Sequence, residues 1–518
     1  MSKALMIQGT GSGVGKSIIV AGLCRLFSDW GMNVAPFKAQ NMALNSFITR
    51  EGGEIGRAQA VQAEAARIEP SVDMNPILLK ATGEASSQVI MNGRVHSDMK
   101  ANDYYAFKHE AWRAVTQAYE RLSLKHDVIV IEGAGSPAEI NLMDDEIVNM
   151  KVARHANAPV LLVGDIDKGG VFASLHGTVE LLKNGKSDAD FIRAFIVNKF
   201  RGDTSILEPG LRMIEEKTGR PVIGVIPYLG SLGLQEEDAI PADRLRNRFS
   251  LHSSSPEGRI KIVVLGLRYI ANFTDFDPFL FEPGVDLTYS LWDGDIESAD
   301  LIFIPGSKNT VRDLLFLKEH GVERSIKKAV ERGTPLIGIC GGYQMLGKTI
   351  YDPEGIESGW RETAGFGFLD TETVFEKTKV TSQVEAYPSG IASLGFGVDH
   401  KVRGYEIHMG RTSGDLGLFR IVRFSSDSRD EYAGPLSEGS AKGNVWGTYI
   451  HGLFDDDGFR RRLLDSVRQR KGLAPPGETI GYAELKEKAM DGWAKTLEEA
   501  LDMNFVLKLV GIKKRSAV

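Results

Sequence analysis

Residues 338–346 read GICGGYQML, and this run carries the most chemistry in the chain. A short apolar stretch enters Cys340, and two glycines then open a helical pattern. A nucleophile on a sharp strand-to-helix turn is exposed at the edge of a sheet. A thiol at a helix N-terminus is also drawn toward thiolate by the helix dipole. A lone cysteine is more often a buried packing residue. A packing residue, however, does not need Gly338, Gly341 and Gly342 around it. Cys340 is therefore read as a nucleophile, and a nucleophile needs a base. His451 in WGTYIHGLF and His408 in GYEIHMG are the two candidates.

A second chemical centre stands near the N-terminus. Residues 8–17 read QGTGSGVGKS, between an apolar run and a helical pattern. Glycines let the backbone curl so that several N–H groups face one anion, and the helix N-terminus adds its dipole. Gly9, Thr10, Gly13 and Gly15 would form this ATP-binding loop. Lys16 would reach the terminal phosphates, and the Ser17 hydroxyl would bind Mg²⁺. Thr10 stands where the strict G-x-x-x-x-G-K-S form has its first glycine, with Gly9 one residue further out. Glu132 in IEGAGS ends another apolar run, either as a metal ligand or as a plain strand-end residue in a tight turn. Asp165 and Asp167 in GDIDKGG end a third run, at the edge where open α/β sheets bind ligands. Asn198 in VNKFRGD carries a donor and an acceptor that could read an adenine edge.

These residues need elements to position them. Ala4 to Gln8, Val128 to Ile131, Pro159 to Val163, Phe195 to Val197 and Val222 to Ile226 are short apolar runs separated by helical stretches. Lys16 to Trp30 shows helical spacing through Ile19, Leu23, Leu26, Phe27 and Trp30. The pattern predicts a parallel sheet covered on both faces, in a domain over residues 1–228. Residues 229–258 are polar and broken by proline and glycine, which suits a linker. A second α/β pattern then runs over 259–460, with strands at Ile260 to Leu265, Leu301 to Ile304, Pro335 to Cys340 and Val445 to Ile450. Its helix Val322 to Glu331 stops at Gly333. Residues 461–518 are read as a C-terminal helical extension, with Leu485, Ala489, Trp493, Leu497, Ala500 and Leu501 on one stripe.

Composition bounds the class. The chain has 518 residues, 42% hydrophobic and 25% charged, which predicts several soluble globular domains. A net charge of -7 argues against non-specific nucleic-acid binding. Cys24 and Cys340 are the only cysteines, so no disulfide framework is expected. The start MSKALMIQGTGSG lacks a basic region with an apolar signal core, and no apolar run reaches the ~18 residues of a membrane span. The expectation is a cytoplasmic protein with no membrane span.

The motifs also carry a resemblance. GICGGYQMLG with the distant GTYIHGLF resembles the class I glutamine amidotransferase domain, in the variant of the corrinoid amide synthases. The phosphate loop resembles that of dethiobiotin synthetase and its relatives, and Gly11 replaces the second lysine of partition ATPases. APFKAQNMALNS (35–46), GGEIGRAQAVQA (52–63), VDMNPILLK (72–80), EGAGSPAEINL (132–142) and DIDKGGVFASLHGT (165–178) resemble the cobyric acid synthase family. The resemblance runs from about residue 3 to about 511. It implies a dethiobiotin synthetase-like P-loop domain followed by a class I amidotransferase-like domain. It implies glutamine- and ATP-dependent amidation of the b, d, e and g carboxylates of adenosylcobyrinic acid a,c-diamide in cobalamin biosynthesis. The partners are then glutamine and an adenosylated corrinoid, with ATP and Mg²⁺ as cofactors.

Within that resemblance Cys340 and His451 are the catalytic pair. PGSKNT (305–310) fits the loop that supplies an oxyanion N–H near Gly306, with Gly341 as the second donor and Gln344 helping to hold glutamine. Usual class I domains have a glutamate two residues after the histidine, and here Leu453 stands there. Glu406 is a candidate to orient the histidine instead. Lys38, Gln40, Asn41 and Asn45 are candidate substrate contacts, and Arg57, Arg94 and Arg201 could meet anionic arms. Two other readings compete: an a,c-diamide synthase acting on other carboxylates, and a partition-type ATPase switch with a degenerate amidotransferase domain. QNMALNS and SPAEINL weigh against the first, and Gly11 with the intact Cys340 setting against the second.

Overall fold

The computed structural model describes residues 2–81, 86–143, 146–183, 187–230, 258–389, 400–424, 435–477 and 479–514. Most of the expected linker, 231–257, lies outside the described residues. The chain divides into two compact units, Met1–Ala43 with Glu54–Asp238 and Leu485–Val518, and Leu44–Gly53 with Ala239–Glu484.

In the first unit the apolar runs become a sheet in the spatial order Val222–Pro227, Ile192–Phe200, Val160–Asp165, Lys3–Gly9, Val128–Glu132, Val34–Phe37. Every pairing is parallel. Strands such as VIVIE are buried at every position, which follows from helices on both faces. Glu132 ends its strand opposite Ile7, and Asn198 lies near the end of its own, opposite Asp165, so the candidate polar residues line one edge. Helix Lys16–Asp29 starts at that edge and buries Ile19, Leu23, Leu26 and Phe27.

The C-terminal stretch departs from the single extension read from sequence. Helix Asp457–Lys471 belongs to the second unit, whereas Met503–Val510 and most of Tyr482–Ala500 belong to the first. The apolar stripe explains this, because Trp493, Leu497 and Val506 share one core with Ile19, Leu23 and Phe27. Trp493 Nε1 donates to Ile18 O at 2.6 Å, and the buried Arg25 pairs with Asp491 at 2.8 Å. Asp502 caps the last helix by accepting from Phe505 N, which splits the expected helix in two.

The second unit has a sheet in the order Val285–Ser290, Ile260–Leu265, Leu301–Ile304, Leu336–Ile339, Val445–Thr448, Ser440–Lys442. Its pairings are parallel except the last. A second, largely antiparallel sheet is built around Thr371–Pro388 and Val402–Gly414, and it ends on Ile450–His451. The candidate base thus joins the two sheets at one point of the chain. Helix Val322–Glu331 stops before Gly333, whose φ of 91° ends it as expected.

Candidate functional site

Cys340 lies between strand Leu336–Ile339 and helix Gly341–Leu346, with φ 51° and ψ -108°. A non-glycine residue there is strained, and such strain persists only where the surroundings impose it. The surroundings are the glycines. A Cβ on Gly342 would lie 1.9 Å from Ile304 O, and one on Gly338 would lie 2.6 Å from Gly342 O. The helix can start this close to the sheet only without those side chains. The close approach forces the turn onto Cys340.

His451 is buried beside it. Its Nδ1 donates to Asp275 Oδ2 at 2.7 Å, and Gly452 N donates to Asp275 Oδ1 at 3.0 Å. Tyr405 stacks on the imidazole with centroids 5.3 Å apart. Burial alone would lower the His451 pKa, but the charge and hydrogen bond of Asp275, with Cys340, outweigh it and raise the pKa to about 10. The Asp275 carboxylate thus favours the protonated imidazole. Asp275 was not singled out from sequence. Its signal is an acid inside the aromatic run NFTDFDPF, and its pairing appears only in the fold.

The rival histidine is otherwise engaged. His408 stacks on Tyr449 at 3.7 Å, and its Nδ1 meets Gly410 O at 2.7 Å. Glu406 does not orient His451. It accepts from Arg423 at 2.6 and 3.0 Å. Burial would raise its pKa, but His408 and Arg423 bring it down to about 2. Leu453 is buried in a short 3-10 turn. The carboxylate that class I domains place after the histidine is here replaced from a distant part of the chain.

Gly306 and Gly341 bracket the thiol. A Cβ on Gly306 would lie 3.4 Å from His451 Cε1 and 3.8 Å from Cys340 Cβ, and one on Gly341 would lie 2.9 Å from Ser307 N. Gln344 is buried between Thr310, whose hydroxyl donates to Oε1 at 3.2 Å, and Tyr449, whose OH accepts from Nε2 at 3.1 Å.

In the first unit the loop Gly9–Ser17 turns at Gly13 and Gly15, with φ 70° and 101°. Thr10 N donates to Val163 O at 2.9 Å, which ties the start of the loop to the sheet. Lys16 Nζ bonds the carbonyls of Gly11 and Gly135 at 2.8 and 3.1 Å. Ser17 Oγ and Lys38 Nζ both donate to Glu132 Oε1 at 2.8 Å, and Gln62 Nε2 donates to Oε2 at 2.6 Å. Burial would raise the Glu132 pKa, but the Lys38 charge and these hydrogen bonds outweigh it and lower it. Glu132 is thus a charged carboxylate beside the Ser17 hydroxyl. Two hard oxygen donors of this kind suit Mg²⁺, which takes its other ligands from phosphates and water. Among the described residues no cluster of three or more metal-ligating side chains forms a cage by itself.

Some expected contacts differ. Asn198 is bonded to the loop and to its own strand. Its Nδ2 donates to Val14 O at 2.8 Å and its Oδ1 accepts from Lys199 N at 2.9 Å, because the loop curls onto the strand end. Asp165 pairs with Lys199 at 2.9 Å. Arg201 pairs with Asp167 at 3.0 Å and stacks on Tyr228. Gln40 opens a short strand opposite Ile77. Asn41 Nδ2 donates to Gln59 Oε1 at 3.0 Å. Asn45 is not in this unit at all. It belongs to Leu44–Gly53, which folds with the second unit, and its Oδ1 accepts from Phe273 N at 3.2 Å. Arg57 is buried at the start of helix Arg57–Ala65, and Arg94 is exposed at a strand start.

Two family models match the chain. Residues 5–241 match the CobQ/CobB/MinD/ParA nucleotide binding domain, and residues 261–459 match the CobB/CobQ-like glutamine amidotransferase domain. A cobyric acid synthase of Thermodesulfovibrio yellowstonii is 49% identical over 99% of this chain and 100% of its own length. One from Thermoanaerobacter sp. is 46% identical over 98% of this chain and 99% of its own. Among solved structures, a glutamine amidotransferase is similar over 41% of this chain and 100% of its own, at 19% identity and a TM-score of 0.30. Among the described residues, no helix is long and apolar enough to cross a membrane.

Proposed function

The chain belongs to the cobyric acid synthase family, and from that premise we propose that it amidates the b, d, e and g carboxylates of adenosylcobyrinic acid a,c-diamide, with nitrogen from glutamine and energy from ATP. The observation that carries the reading is one chain bearing a strained thiol with its imidazole–carboxylate pair and, separately, a phosphate loop with a charged carboxylate.

At the glutaminase centre the Cys340 thiolate attacks the side-chain carbonyl carbon of glutamine. The oxyanion forms within reach of the Gly306 and Gly341 N–H groups. His451, held by Asp275, gives its proton to the leaving nitrogen, and ammonia departs from a γ-glutamyl thioester. Water then attacks the thioester, His451 takes its proton, and glutamate leaves with the thiolate restored.

At the phosphate loop the γ-phosphoryl group of ATP passes to a substrate carboxylate, giving an acyl phosphate and ADP. Lys16 neutralises charge on the moving group. Ser17 and Glu132 would hold Mg²⁺, which when bound supplies further charge neutralisation. Lys38, on Glu132 in this structure, is the second cation available to phosphate or substrate. Ammonia attacks the acyl carbon, phosphate leaves, and the amide forms.

The test is incubation with adenosylcobyrinic acid a,c-diamide, Mg·ATP and glutamine, followed by mass analysis of the product. Conversion of all four remaining carboxylates is expected. Consumption of unamidated cobyrinic acid alone would make the chain an a,c-diamide synthase instead.

A further inference from the structure

The oxyanion donor near Cys340 sits on a very short element. Gly306–Ser307 is a two-residue strand, paired antiparallel with the equally short Ile270–Ala271. A Cβ on Gly306 would lie 3.4 Å from His451 Cε1 and 3.8 Å from Cys340 Cβ, so this backbone lies against the reacting pair. An oxyanion donor must stand within about 2.7–3.1 Å of the developing charge. An isolated pair of strands is only marginally stable, so a ladder this short needs fastening from outside.

One buried carboxylate grips both strands. Asp313, in the first turn of helix Thr310–Glu319, is 1% exposed. Its Oδ2 accepts from Ser307 Oγ at 2.6 Å and from Tyr269 N at 3.3 Å. Ser307 belongs to the oxyanion strand, and Tyr269 leads into its partner. Two more bonds close the ring: Ser307 Oγ accepts from Asn309 N at 3.0 Å, and Lys308 N donates to Tyr269 O at 2.8 Å. Helix capping does not account for Asp313, because Asn309 already caps this helix by accepting from Arg312 N at 3.3 Å. Burying a carboxylate is costly unless its bonds offset the lost water, and both of these bonds reach outside the helix.

The partner strand continues into Asn272 and then Asp275, which holds His451 Nδ1. Thr310, at the start of the same helix, donates to Gln344 Oε1 at 3.2 Å. We propose that Asp313, acting through Ser307, is a positioning residue for the oxyanion hole, holding the Gly306 backbone in place beside Cys340. The proposal rests on the glutaminase reading of Cys340 given above. Its effect falls on the tetrahedral intermediate and not on the binding of glutamine, because the oxyanion exists only after the thiolate has attacked. A displacement near 1 Å at such a donor changes rates by roughly a hundredfold.

The test uses the full chain with Ser307→Ala, Asp313→Ala and the conservative Asp313→Asn. Glutamine hydrolysis gives kcat and KM, and iodoacetamide gives the rate at which the Cys340 thiolate is alkylated. Cys24 is fully buried, so the label reports on Cys340. Alkylation displaces iodide from a saturated carbon and forms no oxyanion, so it reads the nucleophile without the hole. Both alanine variants should lose at least about tenfold in kcat, with KM and the alkylation rate within about twofold of wild type. Asp313→Asn should stay within about threefold of wild type, because both bonds end on one oxygen and a carboxamide keeps one acceptor oxygen. A wild-type kcat in Ser307→Ala would overturn the proposal. So would a joint fall of kcat, alkylation rate and melting temperature in both alanine variants, which marks a purely structural bond. A wild-type chain that is alkylated at Cys340 yet hydrolyses no glutamine would instead strike the functional reading, and the proposal with it.

Discussion

The loop Gly9–Ser17 and the turn Gly338–Gly342 are both glycine-rich passages from a strand into a helix, yet glycine serves different ends in them. In the first, Gly13 and Gly15 supply left-handed backbone, and a Cβ on Gly11 would meet nothing within 4 Å. In the second, the glycines supply close approach, and the left-handed residue is Cys340 itself, at φ 51°. In the phosphate loop Lys16 bonds the carbonyl oxygens of Gly11 and Gly135. The elbow is closed, with its base already paired to Asp275.

The largest effects should come from emptying one site at a time. Cys340→Ala should reduce glutamine-dependent amidation by more than roughly a thousandfold and leave ammonium-dependent amidation intact. Lys16→Ala should abolish amidation from either nitrogen source and spare basal glutamine hydrolysis. The two variants mixed in one tube, assayed with glutamine, show whether free ammonia rescues. If Cys340→Ala lost both nitrogen routes, the separation of the two sites would fail.

Next comes the carboxylate that completes the elbow. Asp275→Asn keeps the shape but removes the charge that raises the His451 pKa. A loss of roughly a hundredfold or more in glutaminase kcat is expected by analogy with other imidazole–carboxylate pairs. The alkaline limb of the pH profile should move to lower pH, because the imidazole gives up its proton earlier. Glu406→Gln, at the carboxylate sequence suggested, should leave that limb in place.

Glycine replacement tests the difference between the turns directly. Gly342→Ala drives a methyl group to within 1.9 Å of the Ile304 carbonyl, so backbone must shift. A cost of more than about 3 kcal/mol is expected, read as a lower urea midpoint with glutaminase lost. Gly11→Ala meets open space and should change stability by less than about 0.5 kcal/mol.

What sequence reveals here follows from how local each device is. Both turns are written in contiguous residues, so GICGGYQML and QGTGSGVGKS announce them. The buried runs around them fix two α/β units for the same reason. Three features need the fold. Asp275 reaches His451 across 176 positions, so no spacing rule joins them. Asn198 has the right chemistry for a base, but its bonds to Val14 O and Lys199 N appear only in the fold. Leu44–Gly53 and the C-terminal helices each fold away from their chain neighbours, because their bonding partners lie hundreds of residues off.

The smallest effect contrasts the two units through their buried carboxylates. Glu132 has a lowered pKa, since Lys38 and its hydrogen bonds outweigh burial. Its stabilisation is therefore present above the unfolded value near 4.5 and lost as pH falls through the folded one. Glu438 in the amidotransferase unit goes the other way. Burial, then the Glu406 charge, push it up to about 8, against the Thr448 and Tyr449 hydrogen bonds it accepts. Between about 4.5 and about 8 the unfolded chain has released this proton and the folded one still holds it, so folding is penalised increasingly as pH rises. Glu357, raised to about 7, and Asp313, raised to about 6, add in the same direction. Amide-exchange protection of strand Val445–Thr448 should thus fall from pH 5 to 8, while that of Val128–Glu132 should not. Glu438→Gln should flatten the first trend, at the cost of one of the two hydrogen bonds, because a carboxamide has a single acceptor oxygen. An unchanged slope in that variant would mean that another group carries the pH dependence of the closed site.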